Sequence, residues 1–198
     1  MLNSRTLLLC AFAALLECVA CSAPAPGKGF YLNAIVLDAA INNTLLRDNN
    51  TYTLGLTQPP YADTDHPSPI SISTQNASEL IVSPTNPHPG PISGRLALVQ
   101  NGPNDWVLVK AFPPVEGRPY WNVGEDSETA VVKTSDWGFG EKNGKTVLTW
   151  NGASFWYTLR GRHSSGDGKG YDRWMIFWAK GSILAGAVPV TLEVVPMS

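Results

Sequence analysis

A chain of 198 residues, 43% apolar and 15% charged, is long enough to bury one sizeable core. Its 14 basic and 16 acidic residues leave a formal net charge of -2, which excludes the basic surface that nucleic acid or anionic lipid would demand. The three cysteines, Cys10, Cys18 and Cys21, all stand at the start of the chain, which excludes a cysteine nucleophile or a cysteine-bearing metal site beyond residue 21.

The first segment carries Arg5 and then an apolar run from Leu7 to Leu16, too short to cross a bilayer, which takes roughly 20 apolar residues. It reads as a signal peptide over residues 1–22. A cut after Ser22 is the first choice and one after Ala20 the second, so the mature chain is expected to begin near Ala23 as a single secreted domain over 23–198. No later segment is apolar and long enough to span a membrane, and Val190 to Ser198 lacks a hydrophobic tail, so the product is expected to be released.

With 18 glycines, 16 prolines and apolar residues that alternate, the remaining chain reads as strands and turns. The first predicted strand is Phe30 to Leu37 and the second Thr51 to Thr57, ended by Pro59-Pro60. Three sequons, at Asn42, Asn49 and Asn76, lie in polar, turn-rich surroundings and are candidate glycosylation sites. From Pro59 to Gly94 the composition favours long loops, with short strands at Ile70 to Ser73 and Leu80 to Val82.

Arg95 to Gln100 and Asp105 to Phe112 form a predicted hairpin around Asn101-Gly102, because Asn-Gly takes the positive φ that a tight turn needs. Asn143-Gly144 joins Trp137 to Phe139 with Lys145 to Trp150, and Asn151-Gly152 leads into Ser154 to Arg160, which predicts a meander. A glycine-rich loop leads to Arg173 to Ala179, and Val190 to Val195 is the last strand. About ten short strands at this spacing predict an all-β, antiparallel sandwich or closed barrel, with a β-trefoil as the alternative.

Seven tryptophans are the most distinctive feature. Alternation puts Trp174 and Trp178 on one apolar face with Ile176, and Trp106 on a face with Leu108 and Phe112, so these three are expected in the core. Tyr120 and Trp121 come after a proline-rich segment and Trp137 sits among glycines, which makes these three the candidate exposed ligand-binding platform.

Glu125, Asp126 and Glu128, with Asp136 and Glu141 nearby, are acids from which a glycosidase would need a pair held roughly 5 to 10 Å apart. They read as a solvated polar loop. His66, His88 and His163 lie in Pro- or Gly-rich segments without zinc-site spacing, and no G-x-S-x-G is present, so no catalytic residue, metal ligand or cofactor is predicted.

The segments Leu148 to Trp156, Trp174 to Trp178 and Val190 to Val194, together with Phe30 to Leu37, resemble small secreted fungal proteins of the phialide-type cell-wall group and their relatives. Where those families carry a pair of cysteines, this chain has Tyr157-Thr158-Leu159 and Ala187-Val188-Pro189. The resemblance implies an extracellular, wall-associated or surface protein without established catalytic residues. The rival readings are a carbohydrate-binding module with cell-wall polysaccharide as partner, and a polysaccharide hydrolase.

The first expected outcome concerns processing. The secreted, enzymatically deglycosylated protein should have an intact mass that starts near Ala23 and is unchanged by reductant. An N-terminus at Met1, or a two-unit mass gain on reduction, contradicts it.

Overall fold

The computed structural model describes residues 23–48, 54–57, 69–76, 78–83, 94–100, 105–111, 131–164, 170–181 and 183–198. Residues 1–22, Asn49, Tyr120, Trp121, the acids Glu125 to Glu128 and the predicted Asn101-Gly102 turn lie outside the described residues.

Among the described residues the chain forms strands and turns and no helix. In chain order the strands are β1 (Gly29–Val36), β2 (Thr44–Leu45), β3 (Arg47–Asp48), β4 (Leu54–Thr57), β5 (Ser71–Thr74), β6 (Leu80–Ser83) and β7 (Gly94–Gln100). Then come β8 (Asp105–Ala111), β9 (Val132–Lys133), β10 (Trp137–Lys142), β11 (Lys145–Trp150), β12 (Trp156–Ser164), β13 (Gly170–Ala179) and β14 (Val188–Pro196). The predicted strands are all present in outline. The additions are β2, β3 and β9, each too short to carry a periodic signal.

All pairings among the described strands are antiparallel. They run in a circuit, β14–β1–β5–β6–β7–β8–β13–β12 and back to β14. At three joints, β1–β5, β6–β7 and β12–β14, only two residue pairs hold the strands together. Two hairpins branch off, β10–β11 from β14 and β3–β4 from β13. The result is one sheet folded into two layers, a sandwich in which the circuit is too uneven to make a clean barrel. No threefold unit of the trefoil alternative appears in this strand order.

Alternation decides what lies between the layers. In β1 the inward set is Phe30, Leu32, Ala34 and Val36, and in β14 it is Val190, Leu192 and Val194, whose partners across the ladder are Val36, Ala34 and Leu32. Strand β7 departs from alternation because both of its faces are covered. Leu96 and Leu98 enter the main core, while Ala97 and Val99 join Val109, Val107 and Val132 in a second, smaller cluster on the reverse face.

The turns behave as their chemistry demands at Asn143-Gly144, where φ is 54° and 73° and the two residues connect Lys142 to Lys145. At Asn151-Gly152 φ is 48° and 71°, and Trp150 and Ala153 exchange amide hydrogen bonds of 2.9 and 3.0 Å. Here the structure corrects the predicted meander. After that one bridge the chain leaves β11, and β12 pairs with β13 and β14.

Replacing Gly144 by Ala forces a Cβ onto a left-handed residue and should lower stability by about 1 to 2 kcal/mol. Urea denaturation measures it, and an unchanged midpoint would show that this turn does not need a left-handed residue.

Candidate functional site

The aromatic residues converge through strand register. Trp156 of β12 lies directly opposite Trp178 of β13, and Trp178 lies opposite Trp106 of β8, so the three indoles form one row across neighbouring strands. Trp137 and Trp150 are directly opposite each other in the β10–β11 hairpin. This pair meets the row across the core. Trp137 stacks on Trp156 with centroids 6.1 Å apart and planes 5° from parallel, and Trp150 meets Trp178 edge-on at 4.7 Å and Trp106 at 5.6 Å.

A buried indole N–H needs an acceptor, and four of these five have one. Trp137 donates to the Leu96 carbonyl at 3.1 Å, Trp150 to Ser135 at 2.9 Å, Trp156 to Leu148 at 2.8 Å and Trp178 to Ala153 at 3.4 Å. Among the described residues no acceptor stands on the N–H of Trp106, which is only partly buried against the core.

Trp137 is therefore corrected as a platform residue. It is 4% exposed, in a strand, stacked and hydrogen-bonded inside the protein. The glycines beside it are strand glycines rather than loop signals. A Cβ at Gly138 would stand 3.0 Å from Thr149 Oγ1, and one at Gly140 3.2 Å from Thr149 Cγ2, so both glycines of β10 pack closely beside Thr149. The other two predicted ligand-binding residues, Tyr120 and Trp121, lie outside the described residues.

The expectations for Trp174 and Trp178 hold, since both are buried with Ile176, and Trp106 packs at the margin of the same core. Arg160 lies opposite Trp174 in the β12–β13 ladder, and its guanidinium stands 5.6 Å from the centre of that indole ring. It also donates to the Asp172 carboxylate. That hydrogen bond, and then the attraction between the opposite charges, raises the Arg160 pKa above its ordinary value. Arg160 is fixed as a permanent cation over an aromatic face, with its own side chain largely in solvent.

Sequence reasoning missed Phe155. It is 43% exposed, its ring centroid is 5.9 Å from that of Trp178 at 55°, and its carbonyl accepts from the Ala179 amide at 3.1 Å. The signal was available: with Trp156 turned inward, alternation sends Phe155 outward.

The described sequon asparagines occupy exposed turns and also serve the backbone. Asn42 Oδ1 accepts from the Val36 amide at 3.1 Å, closing the Asp38–Asn43 turn at the end of β1. Asn76 Oδ1 accepts from the amides of Ser78 and Glu79, both at 3.0 Å, and its Nδ2 donates to Glu79 Oε2 at 2.9 Å. Asn49 lies outside the described residues.

Among the described residues no three His, Cys, Asp or Glu side chains come together as metal ligands. Of the predicted acids within the described chain, Asp136 and Glu141 are both exposed. The backbone of His163 lies in β12, while His66 and His88 are outside the described residues. No match emerges when the chain is compared with protein-family models, with curated proteins or with solved structures.

Truncating the stacked pair tests its burial. Trp137→Ala and Trp156→Ala should each lower stability by about 3 to 5 kcal/mol in chemical denaturation. Trp137→Phe, which keeps a ring but strands the Leu96 carbonyl, should fall nearer 1 to 3 kcal/mol. An unchanged midpoint in Trp137→Ala would return this residue to the surface.

Proposed function

We propose that this chain is a secreted, non-enzymatic, fungal-type cell-wall-associated or surface protein, a rigid glycosylated sandwich that contacts wall polysaccharide from its surface. The observation that carries the reading is the placement of two sequons, Asn42 and Asn76, on exposed turns, where a glycan can project without entering the core. The apolar leader from Leu7 to Leu16 supports the same destination.

Stability outside the cell is consistent with the interior. No cysteine follows Cys21, and the five interlocked indoles supply the cross-layer fastening that many secreted domains take from disulfides. With four indole N–H groups committed to backbone carbonyls, the interior aromatics act as fastening rather than as a binding face. A near-neutral surface suits neutral polysaccharide, the abundant extracellular polymer of a walled cell.

The test is secretion of the full chain from a yeast or filamentous host, followed by separation of medium, detergent-soluble wall and detergent-resistant wall. The protein should leave the cell glycosylated, and part of it should stay with the wall. Asn42→Gln and Asn76→Gln should each lower the mass by one glycan. Intracellular retention of an unglycosylated full-length chain overturns the proposal.

A further inference from the structure

One aromatic ring is held outward while the rest of the cluster is turned in. After the Asn151-Gly152 turn, Ala153 is held three ways: its amide donates to Trp150, its carbonyl accepts the Trp150 amide, and the same carbonyl takes the Trp178 indole N–H. Two residues on, the Phe155 carbonyl is tied to Ala179. The backbone that carries Phe155 is thus pinned on both sides of the side chain, and Trp178, 6% exposed, backs the ring. A preordered aromatic loses little rotamer freedom on binding, which is what a recognition residue needs.

Its surroundings narrow the ligand. Asn151 and Gly152 on the approach to the ring, and Lys180 and Gly181 beyond its Ala179 partner, are all exposed and none is apolar. A protein partner of standard size would bury about 800 Å² on each side around an apolar centre; among the described residues of these two segments the exposed large apolar side chains are Phe155 and, further along the chain, Ile183, beside the polar Asn151 and Lys180. A pyranose matches better: its axial C–H groups carry slight positive charge and complement the negative face of an aromatic ring, while its hydroxyls reach polar groups at the rim.

We propose that Phe155, backed by Trp178 and flanked by the Asn151-Gly152 turn, is a stacking platform for one sugar unit of a neutral polysaccharide. This inference rests on the extracellular, polysaccharide-contacting reading above and gives that reading its contact point.

The experiment uses the secreted, glycosylated protein with insoluble β-1,3-glucan and chitin as separate probes, and reads retention together with the shift of tryptophan emission on adding soluble oligosaccharide. The wild type should bind at least one of the two. Phe155→Ala and Phe155→Leu should bind about tenfold more weakly or not at all, and Phe155→Trp should bind as well as wild type or better. The Leu variant keeps apolar packing on Trp178 without an aromatic face, so it decides the matter if the Ala variant is unstable. Wild-type binding that survives in the folded Leu variant overturns the platform and leaves the polysaccharide reading standing. Failure of the wild type to bind either polymer overturns the platform too, and wall fractionation then decides the extracellular reading separately.

Discussion

A buried indole is acceptable only if its N–H finds an acceptor, and this requirement organises the sandwich. The row Trp156, Trp178 and Trp106 crosses one layer by register, and the Trp137–Trp150 pair descends on it from the β10–β11 hairpin. The hydrogen bonds then select a single arrangement. Trp137 reaches β7 at Leu96, and Trp156 reaches β11 at Leu148. Stacking alone is tolerant of sliding; a donor that must meet one carbonyl is not. Together they fix where the hairpin lies over the circuit, although β11 joins the rest of the sheet through only one β14 pair, Val147 with Glu193.

The same constraint explains the departure of β12 from the expected meander. An Asn-Gly turn after β11 is built to start a hairpin partner, and the reciprocal Trp150–Ala153 bonds show that it does start one. Continuing would have carried Trp156 along β11 as a ladder neighbour. Instead the chain turns off at Ala153, where the carbonyl is claimed by Trp178, and Trp156 enters the row opposite Trp178. Burial of the largest side chain, 1% exposed with its N–H satisfied, outweighs the few ladder bonds a longer β11–β12 hairpin would have gained.

Much of the fold is legible in the sequence because the signals are local. Phe30 to Val36 and Val190 to Val194 alternate cleanly, and Asn143-Gly144 names its own turn. The rest depends on distant partners. Gly138 and Gly140 look like loop residues in isolation, and only the strand pairing and the close approach of Thr149 show their place in a strand. Trp137 reads as a surface residue for that reason, since its glycine neighbours argue for a loop while its partners, Leu96 and Trp156, are far away in sequence. Two-residue strands such as β9 exist because β7 offers them an edge, and no pattern of their own announces them.

The division between committed and uncommitted aromatics bears on function as well as on fold. An indole whose N–H is bonded and whose face is stacked cannot meet a ligand without unfolding the layer contact that holds it, so Trp137 and Trp156 are unavailable whatever the chain binds. Availability rises towards the margin of the cluster: Trp106 is partly buried with no described acceptor, and Phe155, which has no polar group to satisfy, remains open to solvent. A phenyl ring at such a margin carries no donor, whereas a partly exposed indole such as Trp106 can give its N–H to water. Burial of apolar surface draws the indoles inward and their backbone acceptors hold them in place, while Phe155 faces outward on the base that Trp178 provides.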